Sequence, residues 1–180
     1  MQGFAQLEEG WRQMKNKEED RVVTITLLPS FASRWLLPRL ASFSHCCPHI
    51  ELRVAMSEQL QDLHATGLDL AIRFGSGHYP GVEVSHLMDD ELFPVASPAL
   101  LAREGRPATP NELARFTLLK DNSLESFNWS SWLRLAGLTE FKPYHNLTIS
   151  DSAQVVSMAL AGQGIALARR SLVGAELKDG

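Results

Sequence analysis

Apolar positions along the chain fall into short runs with two periods. Residues 22–28 (VVTITLL), 68–74 (LDLAIRF), 82–88 (VEVSHLM), 91–96 (ELFPVA), 117–120 (TLLK), 147–150 (LTIS) and the IALA run from Ile165 have strand length and composition. Residues 50–56 (IELRVAM) predict another strand, because Ile50, Leu52 and Val54 alternate with Glu51 and Arg53. Helical patterns lie between them. Residues 31–47 form one, with Pro38 inside it; that ring cannot donate to the Arg34 carbonyl, so a kink or break is expected there. Ser57 caps a short EQLQDLHAT helix that stops at Gly67. Ser97-Pro98 and Thr109-Pro110 each start a helix with a hydroxyl followed by proline. NWSSWLRLAG (128–137) sets Trp129, Trp132 and Leu133 on one side, and further helices run over about 151–161 and from near Ser171. Strands joined through helices predict α/β layers with largely parallel sheets.

Residues 1–20 carry a separate pattern. Phe4, Leu7, Trp11 and Met14 follow the spacing of a coiled-coil seam. Such a helix either packs on its own domain or pairs with a second subunit. The KNKEEDR run (15–21) mixes both signs and reads as a solvated hinge.

Two strand–helix junctions resemble each other. In LLPSFASRWLLPRL (27–40) a strand runs into Ser30 and Ser33; in LTISDSAQVVSMAL (147–160) another runs into Ser150, Asp151 and Ser152. A small polar side chain at such a place caps the helix by accepting a free backbone N–H bond. The same N–H groups and the helix dipole also attract anions. In open α/β sheets ligands gather at the carboxyl ends of strands, so the pair predicts a small molecule held in a cleft between two lobes.

Composition narrows the classes. The 180 residues carry a formal net charge of −4, are 44% hydrophobic, and show no basic stripe of the kind that nucleic acid demands. No run has the apolar length of a membrane span, and the first residues lack the features of a signal peptide, so a cytoplasmic setting is expected. Cys46 and Cys47 are adjacent, which disfavours a mutual disulfide and suits a reducing compartment. His45, Cys46, Cys47 and His49 match no common zinc spacing. Gly75-Ser76-Gly77 lacks the third glycine and helix of a dinucleotide site, and there is neither a nucleophile elbow nor a P-loop. The reading is a non-catalytic protein with no metal and no cofactor.

The pieces TITLLPSFASRWLLPRLASF, PHIELRV, GLDLAIRFGSGHYPG, LFPVASPALL, LARFTLLKD, WSSWLRLAG and VVSMALAGQGIALA, in that order, give the chain its resemblance to a known family. It resembles the effector-binding domain of LysR-type transcriptional regulators, in the subgroup of the glycine-cleavage and β-lactamase regulators. The resemblance implies a two-lobe, type 2 periplasmic-binding-protein-like α/β fold. Residues 1–20 would be a linker and dimerisation helix, 21–92 the first lobe and 93–180 the second. It places first-lobe effector contacts at Ser30, Phe31, Ala32 and Ser33, and second-lobe contacts at Ser150, Asp151 and Ser152. Arg73 and Gly75 would lie on the cleft wall, with Arg73 either forking an effector carboxylate or serving as a supporting arginine. The implied partners are a small polar or anionic effector, further copies in a homodimer or tetramer, and DNA through a winged helix-turn-helix that precedes residue 1 in the family. No membrane partner is implied. The family chain also returns to the first lobe beyond this C-terminus, so that lobe is expected to be incomplete. A stand-alone solute-binding protein of the same fold is the alternative.

Overall fold

The structure is a computed structural model that describes residues 21–122 and 128–179. The expected helix over 1–20 lies outside the described residues. The chain divides into two compact units, one holding residues up to Leu28 and Pro38–Asp90, the other Pro29–Leu37 and Glu91 onward.

The first unit is built on a three-stranded parallel sheet in the order β2-β1-β3, with β1 Arg21–Leu27, β2 Ile50–Met56 and β3 Leu70–Ile72. β1 is the central strand. Its Val23, Ile25 and Leu27 are buried, and so is Phe43 from α2 (Leu40–Cys46). Asp69 holds the entry to β3: its backbone N–H donates to the Thr24 carbonyl at 2.9 Å and its carboxylate accepts the Thr24 N–H at 2.8 Å. The expected EQLQDLHAT helix is reduced to α3, Leu63–Thr66. Residues 82–88 form no strand, and Val84 is left exposed.

The second unit holds a four-stranded sheet ordered β4-β7-β5-β6: β4 Leu92–Val95, β5 Thr117–Asp121, β6 His145–Ile149 and β7 Ile165–Arg169. β5 pairs in parallel with both neighbours, and β4 lies antiparallel on β7. Alternation sends Leu118 and Ile165 to one face, with Leu100, Leu113, Phe116, Trp129 and Leu133. Leu119 and Ala166 go to the other, with Val155 and Ala159. A strand buried on both faces reads as a continuous apolar run, as TLL does here. Gly164 leads into β7 where an added Cβ would stand 2.5 Å from the Thr117 carbonyl oxygen, so only glycine fits. The helices are α4 (Pro98–Glu104), α5 (Trp129–Leu135), α6 (Ser152–Leu160), α7 (Arg170–Val173) and α8 (Glu176–Asp179), with a 3₁₀ turn over Pro110–Arg115. Ser97 caps α4 through its hydroxyl, as expected; Thr109 makes no such cap.

The segment around Pro38 is irregular throughout. A short α1 (Pro29–Phe31) passes into a π-helical turn (Ala32–Leu36), a 3₁₀ turn (Leu37–Arg39) and then α2. Leu37 bonds to Ala32, five residues back, and proline then supplies no N–H to restore the α register. Unit membership changes at the same place. Sequence analysis put residues 29–37 in the 21–92 lobe; by their contacts they belong to the second unit. Phe31 packs against Val156, Ala168, Leu172 and Val173, and Arg34 donates to the Leu172 carbonyl at 2.6 Å and pairs with Glu176. Those contacts outweigh sequence adjacency to β1.

Candidate functional site

Three parallel strands of the second unit end side by side, and a cavity of about 280 Å³ opens at their carboxyl ends. β5 reaches it with Lys120 and Asp121, β7 with Arg169, and α6 with Ser152. The side chains there are oriented locally. Asp151 caps α6 by accepting the Gln154 N–H at 2.9 Å, and this leaves Ser152 free of the capping task. The Ser152 hydroxyl donates instead to the Asp121 carboxylate. Trp129, which is 3% exposed, donates its indole N–H to the Leu119 carbonyl at 2.9 Å and so braces β5 one step before its charged end.

The charge pattern is mixed. Lys120 and Asp121 are half-buried, and neither joins an ion pair among the described residues. Arg169 adds a guanidinium that has interactions of its own. The carboxylate that stands in the mouth is Asp121, from the end of β5, and not the expected Asp151, which caps α6.

Both expected junctions come to one unit, where α1 packs on α6. Ser30 is buried, and the exposed Ser33 donates its hydroxyl back to the Ser30 carbonyl at 3.1 Å. Phe31 stacks on Trp35 at 4.8 Å between ring centroids, and Ala32 is fully buried. Ser150 is exposed.

Arg73 and Gly75 belong to the first unit. The Arg73 guanidinium donates to the Ser57 and Gln59 carbonyls at 2.6 and 2.9 Å and to the Thr26 hydroxyl at 3.2 Å. It thereby ties the turn after β2 to the end of β1. Burial pushes its pKa below the ordinary arginine value, and nearby Tyr79 opposes that shift. A side chain at Gly75 would overlap the Tyr79 hydroxyl.

Sequence reasoning missed Lys120, Asp121, Trp129 and Arg169. The signal was present: LARFTLLKD ends a buried apolar run on two charges, and the first polar residues beyond a buried parallel strand mark its carboxyl end. Among the described residues, no group of three or more His, Cys, Asp or Glu is arranged to hold a metal ion, and no helix is long and apolar enough to cross a membrane.

Solved structures share this architecture. The effector domain of the regulator AmpR from Pseudomonas aeruginosa matches with a TM-score of 0.71 and 31% identity, over 88% of this chain and 75% of that one. CrgA, a LysR-type regulator from Neisseria meningitidis, matches with a TM-score of 0.79 and 26% identity, over 99% of this chain and 60% of that one. The fold is therefore the two-lobe, periplasmic-binding-protein-like α/β class. The family model for the LysR substrate binding domain matches residues 16–180, and the chain belongs to that family. The glycine cleavage system transcriptional activator of Escherichia coli strain K12 is 38% identical over 177 residues, 98% of this chain and 57% of that protein. The chain thus spans little more than half the length of that relative. The activator AmpR of Citrobacter koseri is 31% identical over 180 residues, again 98% of this chain, and 60% of its own length. These relatives are transcriptional regulators rather than enzymes.

Proposed function

We propose that the chain is the ligand-sensing domain of a cytoplasmic, DNA-binding transcriptional regulator of the LysR type. Its signal is a small polar or anionic effector on which it performs no chemistry, and it works as a homodimer or tetramer. The observation that carries this reading is the cavity at the carboxyl ends of β5, β6 and β7, with charged and hydroxyl side chains set in a largely apolar lining, in a chain whose relatives carry the names of transcriptional activators. Ser152, Asp121 and Lys120 are the residues proposed to meet the effector there, with Ser30 and Ser33 on the helix start that packs nearby in the same unit. Arg73 supports the strand ends of the first unit.

The mechanism is a population shift. An effector that binds one conformation better than another moves the equilibrium by its differential affinity, and subunit arrangement follows. Thermal melts with amino acids, small carboxylates and cell-wall peptides test the reading. A ligand at a hundred times its dissociation constant adds about 2.7 kcal/mol to the folded state. One chemical class is expected to raise the melt and to be recovered unchanged. Turnover of that ligand, or a melt that no class moves, contradicts the proposal.

A further inference from the structure

The second unit's cavity holds two opposite charges that no ion pair among the described residues neutralises. Lys120 and Asp121 both line it, and neither finds an ion-pair partner among the described residues. Unpaired surface charges are common, but these two are half-buried and sit on rigid backbone. β5 is paired on both sides, and its last residues still lie in register with β6, Lys120 opposite Thr148 and Asp121 opposite Ile149. Trp129 braces the same strand through Leu119. The Ser152 hydroxyl holds one carboxylate oxygen of Asp121, and the other receives no donor from the described residues. Side chains of successive strand residues face opposite sides of a sheet. Both nevertheless line one cavity, together with Trp129 and Val156, which pack in clusters on opposite faces of the sheet.

Given the reading of this cavity as the effector site, on which the argument rests, we infer that it selects a zwitterion of the amino-acid type. The ligand lies across the end of β5, its ammonium received by Asp121 and its carboxylate by Lys120, with Arg169 adding to the cationic side. A simple anion at the same place meets the Asp121 carboxylate. Like charges brought together in a half-buried site repel far more than in bulk water, and that repulsion sets the selectivity. A simple amine meets the same difficulty at Lys120. Size agrees, since a cavity of about 280 Å³ is at the small end for ligand sites and suits one amino acid or a dipeptide.

The test is calorimetric titration of the 180-residue chain with the standard amino acids, each compared with its analogues lacking one charge: L-alanine with propionate and ethylamine, L-serine with 3-hydroxypropionate and ethanolamine. At least one amino acid is expected to bind, and removal of either charged group from it to cost about tenfold or more in affinity. In Asp121→Asn the amino acid weakens by a similar factor while its acid analogue binds no worse. Lys120→Met gives the converse preference, for the amine analogue. Misfolding produces neither signature, and the wild-type analogue series needs no variant. An acid analogue that binds as well as its amino acid overturns the zwitterion and leaves the effector site standing. So does binding of another chemical class with no amino acid bound. Failure of every class removes the effector reading as well.

Discussion

Trp129→Phe separates a brace from ordinary core packing. The indole is 3% exposed and its N–H bonds to the Leu119 carbonyl at 2.9 Å. Phenylalanine keeps the aromatic face but loses that donor and part of the volume. The lost bond is worth about 1 kcal/mol, and a carbonyl left buried without a partner raises the cost to about 2 kcal/mol. The smaller ring leaves a gap worth about another 1 kcal/mol. A total near 3 kcal/mol lowers the melting temperature by roughly 6–12 °C for a chain of this size. Trp132→Phe is the control: Trp132 is half-buried against the same cluster, meets Trp129 edge-on at 5.8 Å, and should lose about 1 kcal/mol or less. Calorimetry on the two variants and the parent reads the difference. Equal shifts, or a Trp129→Phe shift under about 2 °C, refute the idea that this bond holds the end of β5.

Gly164→Ala places a methyl against the Thr117 carbonyl oxygen and should destabilise by about 1–3 kcal/mol in urea titration, whereas Gly75→Ala meets only the movable end of Tyr79 and should cost little. Ser97→Ala removes the α4 cap and should lose about 1 kcal/mol by the same measurement. Arg34→Met breaks both the bond to the Leu172 carbonyl and the pair with Glu176; faster hydrogen exchange across 170–179 is the expected result, with 21–27 unaffected. Arg73→Lys keeps the charge but not the fork, and limited proteolysis should then cut faster near 57–62 than in the parent.

The strands were largely legible, because a buried parallel strand is a short aliphatic run whatever lies around it. LDLAIRF shortened to Leu70–Ile72, and VEVSHLM formed no strand, since strand formation needs a partner edge that the local sequence does not report. The break at Pro38 followed from its missing N–H, but the change of unit there depends on what Phe31 and Arg34 touch far along the chain. Ser152 stands at a junction that the sequence marks, but its partner Asp121 does not. Asp121 lies thirty-one residues earlier, and only the parallel pairing of β5 with β6 sets the two together. Phe31 and Ala32 come forward through family likeness; the structure shows Phe31 half-buried and stacked on Trp35 and Ala32 buried, contacts that composition at a helix start does not report.

Hydrogen exchange with and without the ligand that raises the melt tests the central claim most directly. A domain that senses its effector at the strand ends of the second unit should gain protection at 119–122, 148–152 and 167–169. Protection confined to the first unit, around 26–27, 57–59 and 72–75, with those segments unchanged, would contradict it.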